Sequence, residues 1–362
     1  MSKPVLLQMF PEELAQWFKE QGQPAFRAKQ VFGWLHKGAG FDQMSNLPLA
    51  LREQMAEQAA ANPIDIISRH RSQKEDTVKL LFSLADGHCV EGVLMRYRYG
   101  VTLCLSTQVG CRMGCSFCAS TLEGLARNLT AGEMMGMVLL ANGELPADER
   151  AHNIVLMGSG EPFDNYDEVV RFLRLVSHPE GLNIGLRHIS LSTCGLTEQI
   201  RRFAMEGLPV TLSVSLHAPD DQIRAQMMPV ARAWPMDALL DACRYYIAQT
   251  GRRVVFEYAL VDGVNNQSEH ARALAARLRG MQCHVNLIPL NHVPERQLRG
   301  VTRTQADAFL KELETLHISA TLRREMGDDI AGACGQLRRR HLKKGADASL
   351  AVALDSTGED TV

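Results

Sequence analysis

Apolar residues recur at helical spacing in PEELAQWFKEQ, FRAKQVFGWLHK and LPLALREQMAEQAAA, with GQP and SNLP as breaks, and predict a helical unit over residues 1–60. Between residues 63 and 97 the pattern shortens. IDIISRH, TVKLLFSL and CVEGVLMRY are β-rich runs separated by charged or Asp-Gly turns, which predicts an antiparallel hairpin or small sheet. From residue 101 a third rhythm begins. VTLCLST, NIVLMGS, HISLST, VTLSVSLH, RVVFEYALV and HVNLIPL alternate with amphipathic stretches. In TAGEMMGMVLLAN, Thr130 and Glu133 stand at capping-box spacing, and Met134, Met137, Val138 and Ala141 share one helical face. Asn165–Val176 repeats the pattern with Val169, Phe172, Leu173 and Val176. ISATL, after residue 318, predicts one more short strand.

Strand–helix units in series predict parallel strands joined by right-handed crossovers, hence an α/β fold. Six units suit an open (βα)6 barrel or a doubly wound sheet, and both place their chemistry at the carboxyl ends of the strands. The polar residues follow that rule. Cys111–Cys118 come after the first strand and Gly158-Ser159-Gly160-Glu161-Pro162 after the second. Ser192-Thr193 ends the third, Ser215-Leu216-His217 the fourth, and Asn291 follows the sixth. The expected organisation is a helical accessory unit (1–60), a β extension (61–100), a core (101–344) and a mobile tail (345–362) whose composition cannot supply a core.

Composition narrows the setting. Of 362 residues, 46% are hydrophobic and 22% charged, ordinary for a soluble chain with a sizeable core. A formal charge of −2 means that any nucleic-acid surface must be a local patch. The N-terminus lacks an uninterrupted apolar stretch like that of a signal peptide, and a cytoplasmic location with no membrane association is expected. Nine cysteines, an odd number without a secretory signal, point to a reduced compartment. Cys89, Cys194, Cys243 and Cys283 read as packing residues.

CRMGCSFC places Cys111, Cys115 and Cys118 within eight residues. A structural zinc with a distant fourth ligand is one reading, and a three-thiolate iron–sulfur cube with one open iron is the other. The C-x3-C-x2-C spacing, with Phe117 before the last cysteine, resembles the radical S-adenosylmethionine superfamily. That resemblance implies a [4Fe-4S] cluster on Cys111, Cys115 and Cys118, with S-adenosylmethionine bound at the open iron. Gly158–Pro162 is similar to the superfamily's glycine–glutamate motif, in which Gly160 and Glu161 would serve the methionyl ammonium.

A narrower resemblance rests on CLSTQVGCRMGCSFCASTLEGLARNLTAGE, GDDIAGACGQLRRRH and FRAKQVFGWL, which are similar to the RlmN/Cfr family of radical S-adenosylmethionine RNA methyltransferases. The resemblance implies a partial, TIM-like (βα)6 barrel behind an N-terminal accessory domain. It implies cofactor contacts at Phe117, Ser192, Ser215, Leu216, His217 and Asn291. It further implies that Cys334 carries the methyl group as S-methylcysteine, which joins covalently to the substrate base. Cys104 would then resolve the protein–RNA adduct and Glu91 would accept a proton. Without that resemblance, Cys104 reads as a buried strand cysteine and Glu91 as a surface carboxylate.

The expected reaction is methylation at C2 of adenine, a carbon too electron-poor to attack a sulfonium directly. The implied substrates are 23S ribosomal RNA near the peptidyl transferase centre and, as a further candidate, tRNA at the adenine 3′ of the anticodon. An electron donor such as flavodoxin or ferredoxin, and a monomeric state, are expected with it. The run Arg338, Arg339, Arg340, Lys343 and Lys344, with Arg27 and Lys29, is the candidate phosphate contact. A Cfr-type C8 methyltransferase and a zinc-stabilised RNA-binding protein without catalysis are the alternative readings.

Overall fold

The computed structural model describes residues 3–290, 293, 295–323, 330, 337, 338 and 341. Helices α1 (Pro11–Glu20), α2 (Arg27–Leu35) and α3 (Leu49–Gln58) form the N-terminal unit. Strands β1 (Ile64–Arg71), β2 (Thr77–Leu84), β3 (Cys89–Tyr97) and β4 (Gly100–Leu105) follow as an antiparallel meander. Asp86-Gly87 makes the β2–β3 turn, with Gly87 at φ +85°, a left-handed conformation that glycine adopts without a Cβ penalty.

The remaining strands are β5 (Gln108–Gly110), β6 (Leu125–Asn128), β7 (Ala151–Leu156), β8 (Ile189–Thr193), β9 (Thr211–Ser215), β10 (Val254–Leu260), β11 (Cys283–Pro289) and β12 (Ala320–Leu322). Between or after them come α4 (Ala131–Asn142), α5 (Tyr166–Val176), α6 (Thr197–Ala204), α7 (Asp221–Met227), α8 (Met236–Thr250), α9 (Ser268–Leu278) and α10 (Arg303–Thr315). Ten strands form one sheet in the order β1-β2-β3-β4-β7-β8-β9-β10-β11-β12. From β4 onward every neighbour in it is parallel. Residues from β3 through β11, and Arg323 after β12, line a single cavity. The sheet therefore curls around that cavity as an open, partial barrel, and the doubly wound alternative is set aside.

The core explains the strand pattern. On β4, Val101, Leu103 and Leu105 join the main apolar cluster, while Cys104 faces the cavity. Helix α4 departs from the one-faced expectation: every residue from Ala131 to Ala141 except Leu140 is buried. It packs against β1, β2, β4 and β7 on one side and α5 and the N-terminal segment on the other, so no face is left for water. Its start is set by the expected box, Glu133 N donating to Thr130 Oγ1 (3.2 Å) and Thr130 N to Glu133 Oε2 (2.9 Å). Among the described residues, no helix is long and apolar enough to cross a membrane.

Candidate active site

The three cysteines lie on a loop held between β5 and β6, an antiparallel ribbon separate from the main sheet. Gly110 makes the ribbon possible. Its φ is +82°, and a Cβ there would lie 2.0 Å from the Gly124 carbonyl oxygen. Cys111 N donates to that same carbonyl (2.9 Å). Further along, Thr121 Oγ1 donates to the carbonyls of Cys115 (3.2 Å) and Cys118 (3.0 Å). Arg296 donates to the Cys118 carbonyl (3.2 Å) and to Thr121 Oγ1 (2.8 Å). The loop backbone is thus fixed by groups other than the thiols.

Cys111, Cys115 and Cys118 all line the barrel cavity, whose volume is ≈ 350 Å³. Burial pushes the Cys111 thiol up to about 12 and the Cys115 thiol higher still. Such thiols are poor nucleophiles on their own, whereas metal coordination deprotonates them outright. Among the described residues, no three His, Cys, Asp or Glu side chains are grouped around a point where a single ion could sit. A cube of irons takes each thiolate on a different iron and needs no such convergence. Three thiols that line one cavity within eight residues are a donor set that such a cube accepts.

Gly158–Pro162, after β7, buttresses this loop. A Cβ on Gly158 would lie 2.6 Å from Leu105 C and O and from Ser106 N, and one on Gly160 (φ +114°) would lie 2.7 Å from Gln108 Cβ. These glycines admit the chain that leads into the cysteine loop. Glu161 is buried, its carboxylate accepting from Cys194 N (2.6 Å) and Phe163 N (3.0 Å), while its own N–H donates to Gln108 Oε1 (2.8 Å). Burial still pushes the Glu161 carboxyl up, with those amides pulling it back. The side chain ties the ends of β7 and β8 together and borders the cavity. Gly158→Ala is expected to cost about 1–3 kcal/mol through overpacking against backbone. Its thermal transition should fall, and iron bound per chain after anaerobic reconstitution should fall with it. Unchanged values of both would remove the buttress role.

Ser192, Ser215, His217 and Phe117 line the same cavity, at the carboxyl ends of β8 and β9 and in the cysteine loop. His217 is at φ +57°, unusual for a non-glycine residue, and its ring meets Phe117 edge-on at 4.9 Å. Its Nδ1 accepts from Ala259 N (2.9 Å), so the ring proton sits on Nε2. Burial and the neighbouring Arg224 hold its pKa near 3, which keeps it neutral. Leu216 is fully buried in the core, its N–H donates to the Glu257 carbonyl (3.0 Å), and it does not line the cavity as Ser215 and His217 do. Asn291 and Cys334 lie outside the described residues.

Cys104 faces the cavity, opposite Val93 across the β3–β4 pair. Glu91, on the face of β3 that Val93 shares, is buried. It accepts from Lys79 Nζ (2.9 Å) on Oε2 and from Arg338 N (2.6 Å) on Oε1. Arg338 departs from the expected phosphate contact: it is buried, and its guanidinium pairs with Glu123 (3.1 Å). Neighbouring Leu337 packs on Leu81 and Cys89, which draws the arginine inward. Arg339, Arg340, Lys343 and Lys344 lie outside the described residues. In the N-terminal unit, Arg27 stacks over Phe26 and Lys29 pairs with Glu180.

Sequence reading passed over two charges. Lys79 and Glu257 each stand alone in an apolar strand run, TVKLLFSL and RVVFEYALV, and that isolation was their only signal. Cys194, read as packing, belongs to the apolar core and also borders the cavity beside Glu161; Cys243 is a core residue as expected.

Residues 105–275 match the model of the Radical SAM superfamily, and residues 5–61 that of the ribosomal RNA large subunit methyltransferase N-terminal domain. A Clostridium perfringens protein described as "probable dual-specificity RNA methyltransferase RlmN" is 51% identical over 334 residues, 92% of this chain and 96% of the relative. A Geobacillus kaustophilus protein of the same description is 48% identical over 344 residues, 94% of each chain. The crystal structure of a radical SAM methyltransferase from Sphaerobacter thermophilus superposes with a TM-score of 0.89 at 42% identity, covering 92% of this chain and 98% of that one. Three cysteines on one curled-sheet cavity, a matched N-terminal unit and half-identical relatives along nearly the whole length lead to one statement: this chain belongs to the RlmN family of radical SAM RNA methyltransferases.

Proposed function

We propose that the enzyme methylates C2 of adenine in 23S ribosomal RNA and in tRNA, the latter at the adenine 3′ of the anticodon. What carries the reading is that Cys104 and the three loop cysteines line one cavity, in a chain whose relatives are named dual-specificity RNA methyltransferases. Cys111, Cys115 and Cys118 would hold a [4Fe-4S] cluster, and Ser192, Ser215, His217, Phe117 and Asn291 would contact S-adenosylmethionine. Gly160 and Glu161 would stand at its methionyl end. Once bound, these groups supply a primary carbon radical able to take hydrogen from a methyl group.

The chain's own residues do the rest. Cys334 carries the methyl group as a thioether and delivers its carbon to C2. Glu91 takes the proton from C2 of the resulting adduct, and the adduct's surplus electron would pass back to the one-electron carrier that Cys111, Cys115 and Cys118 would hold. Cys104 then attacks the Cys334 sulfur. An S–S bond forms, the S–C bond breaks, its electron pair stays with carbon, and a proton completes the new methyl group. A pairing-edge carbon enters the cavity only from an unstacked base.

Mass spectrometry of fragments from RNA treated with the reconstituted enzyme should find 2-methyladenosine. Detection of 8-methyladenosine instead would replace the C2 reading. The same anaerobically prepared protein is expected to contain iron and acid-labile sulfide; one zinc without sulfide would end the proposal.

A further inference from the structure

Glu257 is a carboxylate on the cavity wall that no step above uses. It is 4% exposed, sits mid-strand on β10, and borders the same space as Ser192, Ser215 and His217. Its Cα is paired with Ser215 on one side and with Asn286 on the other. Asn286 Nδ2 donates to its Oε2 (2.8 Å), and its carbonyl receives the amides of Leu216 and His217 (3.0 and 3.2 Å). The carboxylate is thus fixed in line with the fourth-strand residues Ser215 and His217. Burial pushes its carboxyl up, while Arg323, which lines the same cavity, and the Asn286 amide pull it back down.

Burying an acid here is costly unless something is gained, since an apolar residue would complete the strand run more cheaply. A carboxylate only accepts hydrogen bonds, so its ligand must present donors. Charged acceptors of this kind grip ribose hydroxyls elsewhere, as where an acidic residue holds the ribose of a dinucleotide. We propose that Glu257, steadied by Asn286, is the acceptor for the ribose hydroxyls of the S-adenosyl ligand. The inference rests on the cofactor placement proposed above but not on which carbon of the RNA base is methylated.

The test is equilibrium binding of S-adenosylhomocysteine to the anaerobically reconstituted full-length enzyme, with its 2′-deoxy and 3′-deoxy forms as probes. Glu257→Gln should weaken S-adenosylhomocysteine about 10- to 100-fold, the range for a hydrogen bond to a charged group, with iron per chain unchanged. Wild type should lose a comparable factor toward at least one deoxy form, and the variant should lose little more. If the Gln variant fails to fold, Glu257→Asp, which keeps charge but shortens reach, carries the same expectation. Unaltered binding by the variant, undiminished discrimination in it, or a wild type indifferent to both hydroxyls would each overturn the inference. So would a raised KM for RNA with S-adenosylhomocysteine binding intact, since the ligand would then be the substrate base. Ser215→Ala separates the two levels: if it too leaves binding unchanged, the cofactor placement itself is at fault.

Discussion

Cys104→Ala enzyme, given RNA and a reductant, should accumulate as a covalent protein–RNA species that survives denaturing electrophoresis. The side chain faces the cavity that Cys111, Cys115 and Cys118 also line. A thiol there is the proposed attacking group for the thioether, whereas alanine supplies none. Earlier steps do not need Cys104, so 5′-deoxyadenosine should still form at about one equivalent per chain, followed by arrest. Cys104→Ala should therefore lower multiple-turnover product by at least about a hundredfold, the scale on which losing a nucleophile acts, while the first turnover stays trapped. The swap itself is mild. Cys104 packs on a strand whose other face carries the core residues Val101, Leu103 and Leu105, and a buried cysteine behaves as a small apolar residue. If gels showed only free protein while 5′-deoxyadenosine was still produced, Cys104 would not be the resolving thiol.

How much of this could be read from the chain depends on what each residue had to meet. The parallel strands were legible because most are short runs rich in apolar residues with polar residues at or just beyond the carboxyl end. Those ends are where Ser192, Ser215 and the cysteine loop were found. The β5–β6 ribbon was not legible. Three and four residues carry no period, and what fixes them is the contact of Gly110 with Gly124, fourteen positions apart and invisible to a local pattern. Helix α4 misled because amphipathic spacing assumes one wet face, and here the N-terminal unit covers that face. Arg338 misled for a related reason. A run of arginines reads as a solvated charge patch, yet Leu337 anchors on Leu81 and Cys89 and turns the next residue toward Glu123. Lys79, Glu91 and Glu257 look anomalous one at a time; only the sheet register turns them into partners.

Lys79→Met is expected to destabilise the fold more than any other single substitution considered for this sheet. Lys79 is fully buried and Glu91 nearly so, 2.9 Å apart. In register, Lys79 stands opposite Val93 and Glu91 opposite Leu81, so the two side chains meet diagonally on one face of β2–β3. Deleting the ammonium removes the cation paired with Glu91 Oε2 and leaves the carboxylate buried. Breaking a buried pair in this way costs about 3–5 kcal/mol. Replacing both partners by apolar groups removes the stranded charge, so Lys79→Met combined with Glu91→Leu should recover most of the loss in denaturant titrations. Stability and turnover should then part company. The double variant regains its folding midpoint but not its product, because the proposed proton acceptor is gone. A Lys79→Met protein as stable as wild type would show that the pair contributes nothing net. A double variant as unstable as the single one would show that packing, not charge, sets the cost. Recovered stability without recovered methylation is the pattern that a pair kept for chemistry predicts, since a pair kept only for folding has apolar replacements that serve as well.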